Sequence, residues 1–167
     1  MDAIEVLLDL AGRPIAAVEE LADKLTPAML NQHVGGHDNS VAWLLWHTGR
    51  EIDVQLASLG DAEQVWHALG FKGRFNLGSA GDGIGYGHSA EEARSIVVDD
   101  EHLLVEYVKA TAESLANYIS SLSETQLDDI VDERWDPPVK RGVRLISIID
   151  DAIIHLGQAA YITGTRS

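Results

Sequence analysis

The chain has 167 residues, of which 46% are hydrophobic and 23% charged, so it is long enough for one folded domain and too short for two ordinary ones. Its 12 Lys and Arg residues stand against 27 Asp and Glu, and the net charge of -15 would repel the phosphate backbone of nucleic acid. Since there is no cysteine, disulfides, thiolate metal ligands and a cysteine nucleophile are excluded. No apolar run reaches the roughly 18 residues of a membrane span, and the N-terminus lacks the features of a signal peptide. We therefore expect a cytoplasmic protein that binds neither nucleic acid nor membrane.

The first sixty residues predict two long helices separated by a loop. Residues 2–25 place apolar side chains at helical spacing, with a kink or break expected at the Gly-Arg-Pro of residues 12–14. Residues 26–40 contain proline and glycine and predict a loop, whose last three residues, 38–40, are all competent helix caps. Apolar residues recur at helical intervals over 41–59, which predicts the second helix.

The remainder of the chain predicts a long excursion and two further helices. Residues 60–89 contain 8 glycines and no sustained period beyond a short helical turn near Trp66, and a lid or pocket wall is the plausible use of such a segment. Ser89 and Glu92 have the spacing of a capping box, and 99–122 is strongly amphipathic.

After two prolines the fourth helix is predicted from about residue 143 to Gly164. With no strand pattern, these elements predict an all-α four-helix bundle in a single domain, 1–167, with the glycine-rich excursion between helices two and three.

The fourth helix carries a possible ligand pair. Asp151 and His155 are four residues apart and therefore share a helix face. The neighbouring positions on that face are apolar: Ile148, Ala152 and Ala159. Both side chains should point inward, and a buried carboxylate requires a partner. That partner could be His155 itself, Arg144, Arg50 or a metal ion, and the fourth helix alone does not decide among them.

A histidine on the second helix favours the metal. His47 follows the aromatic and apolar stretch "WLLW", where a buried imidazole needs a hydrogen bond or a metal ion. If helices two and four are neighbours, His47, Asp151 and His155 form a three-ligand set with open coordination positions, as catalytic metal sites have. The alternative is a hydrogen-bonded polar network in the core. Gln158, three residues beyond His155, could orient that ligand or be a plain surface residue.

The other histidines carry weaker signals. His33 and His37 are four apart, but the glycines between them make a helix unlikely, so loop polarity explains them better than a metal pair. His67 lies beside a tryptophan and could line a pocket, whereas His88 and His102 look like surface or capping residues.

The second and fourth helices together resemble a known family. The stretches "NSVAWLLWHTGREID" and "VRLISIIDDAIIHLGQAAYITG" resemble the DinB-like superfamily of metal-binding four-helix bundles, and are similar to the branch that includes mycothiol-dependent maleylpyruvate isomerase and thiol-dependent S-transferases. The resemblance implies that His47, Asp151 and His155 are the metal ligands. Many members have His at the place of Asp151, and the isomerase type has Glu. It also implies support roles for Gly157, through a close helix contact, and for Gln158.

These observations lead to a functional hypothesis with two alternatives. We expect a divalent-metal-dependent enzyme, with zinc or nickel as the ion, in which a low-molecular-weight thiol such as mycothiol is activated for S-transfer to, or isomerisation of, a small electrophile. A hydrolase could use the same site, and a non-catalytic bundle could bind a ligand or partner. No general base is evident, because Asp53 lies too far along the helix from His47. A homodimer through bundle faces is also expected.

Overall fold

A computed structural model describes residues 1–60 and 62–165 of the chain. Its helices, in chain order, are α1 (Ala3–Ala22), α2 (Pro27–Leu30), α3 (Val41–Gly60), α4 (Val65–Ala68), α5 (Phe71–Phe75), α6 (Ala90–Ser95), α7 (Glu101–Ser120) and α8 (Arg141–Gly164). The four long helices α1, α3, α7 and α8 form the bundle, in which α1 and α3 each pack against both α7 and α8. The predicted all-α four-helix bundle is confirmed, and α3 and α8 are neighbours.

Side-chain caps fix the helix starts. The Asp2 carboxylate accepts a hydrogen bond from the backbone N–H of Glu5 at the start of α1 (2.8 Å). Ser40 accepts one from the N–H of Trp43 (3.1 Å), which satisfies a free donor at the start of α3. The capping box of Ser89 and Glu92 is formed as predicted.

The expected break in the first helix is absent. α1 runs unbroken through Pro14, which is buried. A proline inside a helix removes one backbone hydrogen bond. The packing of α1 against both α7 and α8 outweighs that loss.

A small sheet was missed by the sequence pattern. Strands β1 (Ile130–Asp132) and β2 (Val139–Lys140) pair in antiparallel fashion just before α8. Strands of three and two residues are too short for an alternating pattern to reveal them.

A layer of polar side chains crosses the middle of the bundle. The apolar core consists of two clusters, one around Trp46 and Leu156 and the other around Ile52 and Ala152. Buried polar residues of α3 and α7 lie where one cluster gives way to the other along these helices: His47, Thr48, Arg50, Glu51, Asp53 and Thr111. Burying so many polar groups is costly unless each finds a partner, so this layer is where a function is to be sought.

The glycine-rich segment, residues 62–89, covers the face of α3 that would otherwise meet solvent. The Arg50 guanidinium donates to the carbonyl oxygens of Gly83 (3.0 Å) and Asp82 (3.1 Å). Asp53 accepts hydrogen bonds from the N–H groups of Val65 (2.7 Å) and Trp66 (2.8 Å). These bonds tie both ends of the segment to one helix.

Arg50 and Asp53 also form an internal ion pair, with Nη1 and Oδ2 3.5 Å apart and both side chains almost fully buried. The Tyr107 hydroxyl on α7 donates to Asp53 (2.8 Å) and accepts from Arg50 (3.2 Å). Since both charges are fully hydrogen-bonded, their burial is tolerated.

α8 is long and apolar. By length and composition it could cross a membrane, with a mean hydropathy of 1.3 over an 18-residue window of which 33% is buried. The core helices of water-soluble proteins pass the same test. In the bundle α8 packs against both α1 and α3.

Candidate metal centre

The three side chains singled out by the sequence meet between α3 and α8. One ligand atom each from His47, Asp151 and His155 lies within 4.8 Å of the other two. The set depends on the contact between α3 and α8, because His47 is far from the other two along the chain. Two nitrogens and one carboxylate oxygen make a donor set typical of open zinc or nickel sites.

His47 is held in one tautomer. Its ring is 4% exposed and stacks on Trp43, with centroids 4.5 Å apart and planes at 18°. Nδ1 hydrogen-bonds the carbonyl oxygen of Ile84 in the glycine-rich segment. Because a carbonyl can only accept, Nδ1 carries the proton and Nε2 keeps its lone pair. Burial lowers the pKa of His47 below its ordinary value, which keeps the ring neutral as a metal ligand must be.

Asp151 and His155 face each other on α8. Oδ1 of Asp151 and Nε2 of His155 are 3.4 Å apart. His155 Nδ1 lies 2.9 Å from the side-chain oxygen of Gln158, so Gln158 orients this ring as the Ile84 carbonyl orients His47. The hydrogen bond to His155 lowers the pKa of Asp151, which is therefore ionised at neutral pH.

The arginines considered as partners of Asp151 are occupied elsewhere. Arg50 pairs with Asp53, and Arg144 pairs with Asp132 (3.1 Å). His155 is thus the ionic partner of Asp151 in the described part of the chain. The neighbouring Asp150 is exposed.

One atom of the cluster has no partner. Oδ2 of Asp151 is buried and makes no hydrogen bond within residues 1–60 and 62–165. A buried carboxylate oxygen without a partner is costly, and a metal ion bound there would remove that cost. The other carboxylate oxygen, Oδ1, lies 3.4 Å from Nε2 of His155, and two ligand atoms of a tetrahedral ion with bonds of about 2.1 Å also lie about 3.4 Å apart. The residues present therefore fit a divalent ion.

Asp151 and His155 border a cavity and are less deeply buried than expected. Their side chains are 38% and 17% exposed. They line a cavity of about 320 Å³, which we call the metal cavity because the three candidate ligands border it. Its described walls are Asn39, Trp43, His47, Glu51, Gly85, Tyr86, Gly87, His88, Asp151 and His155. An ion here would be reachable by a small molecule.

Glu51 is a polar group of this cavity that the sequence analysis missed. It is 9% exposed and accepts a hydrogen bond from the Gln55 amide (2.7 Å). Burial and the nearby Asp151 carboxylate raise the pKa of Glu51. Its position four residues after His47, on the same helix face, is the signal that could have identified it.

His88 also lies beside the site and not at the open surface. Its ring stacks on Trp46 (centroids 5.9 Å apart), and its Nδ1 accepts from the indole N–H of Trp43 (3.3 Å). The glycine-rich segment brings it there.

His33 and His37 stay in a loop, as expected, where backbone groups hydrogen-bond their ring nitrogens. His67 and His102 are exposed.

The predicted role of Gly157 is wrong. A methyl group on Gly157 would meet no atom within 4 Å, so no helix approaches it closely. Gly157 instead lines a second, larger depression, which we call the groove. Its volume is about 680 Å³, and its described walls are Val34, His37, Asn39, Leu44, Ile154, His155, Gly157, Gln158, Tyr161 and Ile162.

Comparison with known proteins places the chain in a family. A conserved protein from Enterococcus faecalis, known from its crystal structure, is 34% identical, with a TM-score of 0.88 over 98% of this chain and 96% of that one. No curated protein matches the chain. Residues 13–159 match the DinB superfamily, and this match includes all three candidate metal ligands. The chain therefore belongs to the DinB superfamily.

Proposed function

We propose that the chain is a divalent-metal-dependent enzyme in which His47, Asp151 and His155 hold a zinc or nickel ion. The observation that carries this proposal is the convergence of one ligand atom from each residue to within 4.8 Å of the other two, with a buried Asp151 oxygen beside them that has no hydrogen-bond partner in the described part of the chain. When bound, such an ion stabilises the thiolate form of a low-molecular-weight thiol such as mycothiol, or hydroxide, near neutral pH. The favoured reaction is S-transfer to a small electrophile, or its thiol-assisted isomerisation.

The residues of the chain have separate tasks in this reaction. The Ile84 carbonyl and Gln158 hydrogen-bond Nδ1 of His47 and of His155, and so turn the Nε2 atoms of both rings towards the ligand site. Trp43 and the backbone around Gly85 wall the metal cavity and limit the access of bulk water.

Metal analysis tests the core of the proposal. Purified wild type should carry one divalent ion per chain, whereas His155→Ala and His47→Ala should lose it while keeping their helical circular dichroism. His67→Ala, which changes an exposed histidine away from the cavity, is the matched control and should keep the ion. Wild type without stoichiometric metal after loading and desalting would refute the metal site.

A thiol screen then tests the reaction. Metal-loaded protein is incubated with several cellular thiols and a panel of electrophiles, and consumption of the electrophile is followed by mass spectrometry. Turnover that requires both thiol and metal supports the transferase or isomerase.

A metal-dependent hydrolase is the second candidate, and Glu51 is the observation that favours it. A buried carboxylate in the wall of the metal cavity could accept a proton from water. Turnover without thiol, abolished in Glu51→Gln but with the metal retained, would select this candidate.

A non-catalytic bundle that binds a ligand or partner makes a different prediction. If the three polar side chains served only as a core network, chelators would leave the melting temperature of purified protein unchanged. A fall in melting temperature on chelation, restored by adding zinc, excludes it.

A further inference from the structure

The groove adjoins the metal cavity. His155 and Asn39 line both, so they mark the end at which the two meet. Gln158, which hydrogen-bonds His155, lies at the same end. A molecule held at the metal ligands could therefore extend directly into the groove.

Away from that end the groove is apolar. Its remaining walls are mainly aliphatic and aromatic side chains: Val34, Leu44, Ile154, Tyr161 and Ile162. A depression of about 680 Å³ lies in the range of pockets that bind small molecules. Apolar walls with a few polar groups at one end bind a ligand whose polar group is at one end of an apolar body.

The described walls of the two depressions contain no Lys or Arg to pair with an anionic ligand. Among the described residues that line the groove there is no Lys, Arg, Asp or Glu. The described walls of the metal cavity include two acids, Glu51 and Asp151, and again no Lys or Arg. With a net charge of -15 on the chain, a carboxylate or phosphate outside the reach of the metal ion would be repelled and left unpaired.

We propose that the groove binds the uncharged, apolar body of the substrate, whose reacting group lies at the end shared with the metal cavity. The substrate class is thus a small electrophile without carboxylate or phosphate groups on its body. The assignment of the reacting end rests on the proposed metal-dependent function, whereas the apolar and uncharged character of the body rests on the groove alone.

Hydroxamic acids test the proposal on zinc-loaded protein, because their head group binds the metal ion while the tail is varied. Calorimetry compares acetohydroxamic acid, octanohydroxamic acid and suberic acid monohydroxamic acid, the last two differing by a terminal carboxylate. With about half of its extra methylenes buried, octanohydroxamic acid should bind about fiftyfold more tightly than the acetyl compound. The carboxylate should then weaken binding about tenfold. Equal or tighter binding of the carboxylated tail would overturn the proposal.

Two lysine variants locate the tail. Ile154 lines the groove and is 50% exposed, while the adjacent Ile153 is 37% exposed and does not line it. Ile154→Lys should weaken the binding of octanohydroxamic acid and strengthen the binding of the carboxylated compound. Ile153→Lys, which adds the same charge to the same helix, should change neither affinity. Identical behaviour of the two variants would place the tail elsewhere and refute the assignment.

A metal-independent readout separates the groove from the metal site. The uncharged fluorophore N-phenyl-1-naphthylamine should gain fluorescence on metal-free wild type and on Ile153→Lys, but not on Ile154→Lys. If zinc fails to bind, the metal-dependent function is refuted, and this probe still tests whether the groove binds an uncharged apolar molecule. If zinc binds and the probe does not distinguish the variants, the groove proposal fails alone.

Discussion

Gly85→Ala should weaken metal binding although it replaces none of the three proposed metal ligands. Gly85 has φ +86° and belongs to the glycine-rich segment that lies over His47. A methyl group there would lie 2.9 Å from the Trp43 ring, 3.0 Å from the Trp46 ring and 3.1 Å from Nδ1 of His47. Because atoms cannot remain this close, the segment must shift away, and the adjacent Ile84 carbonyl that fixes the His47 tautomer shifts with it.

The magnitude has two parts. The left-handed backbone costs an alanine about 1–2 kcal/mol of folding stability, whatever surrounds it. Loss of the hydrogen bond that orients a ligating histidine typically costs about 10- to 100-fold in metal affinity, or about 1.4–2.7 kcal/mol. Both should appear in Gly85→Ala.

Gly87→Ala is the matched control. Gly87 also has a left-handed backbone (φ +74°) and lines the same cavity, but a methyl group on it would meet nothing within 4 Å. Both variants should lose the backbone part of the stability in urea unfolding of metal-free protein, and Gly85→Ala should lose more because of its clash with the two tryptophans. In zinc competition with a chromophoric chelator, Gly85→Ala alone should lose affinity. Equal zinc affinities for the two variants would refute the argument that the Ile84 carbonyl controls His47.

Four further substitutions, one of them a control on α1, test the packing and charges of the bundle and the site. The methyl group of Gly49→Ala would collide with the Tyr107 ring, so this variant should lose about 1–3 kcal/mol of unfolding free energy. Gly12→Ala has open space around its methyl group and should gain up to about 1 kcal/mol from the higher helix propensity of alanine. Tyr107→Phe removes a hydroxyl from the internal ion pair and should cost about 1–3 kcal/mol in the same assay. Burial alone would lower the pKa of His155, but its hydrogen bonds to Asp151 and Gln158 raise it. The protonated His155 ring therefore stabilises metal-free protein fully below about pH 6.5, and this stabilisation is lost as the pH rises through the raised pKa. NMR titration of the His155 ring should show that pKa fall in Asp151→Asn; an unchanged value would contradict the pairing.

The four long helices could be predicted because each repeats apolar residues at helical spacing over many turns. The same spacing placed Asp151 and His155 on one face of α8. His47 can meet that face only if α3 and α8 are neighbours. The pattern of a single helix does not specify its neighbours, but the folded bundle shows that the two helices pack together. Their role as metal ligands stays a prediction.

The burial of Arg50, Glu51 and Asp53 could not be read from the helix pattern. Three charged residues in "REID" are typical of a solvent-exposed face, and the segment that covers them has no period of its own. Four of its glycines, at positions 70, 78, 85 and 87, adopt left-handed conformations, and backbone carbonyls of the segment hydrogen-bond Arg50 and His47. Contacts between a loop backbone and a helix leave no trace in hydrophobic spacing, and for that reason His88 was missed as a neighbour of the site.

The attachment of the glycine-rich segment to Arg50 has a consequence for how this site could change. Arg50 holds the carbonyls of Asp82 and Gly83, and the next carbonyl along, that of Ile84, orients His47. One segment of the chain therefore determines both the wall of the cavity and the orientation of His47. A variant library confined to this segment should retune the affinity and reactivity of the ion while leaving the bundle, and all three ligands, unaltered.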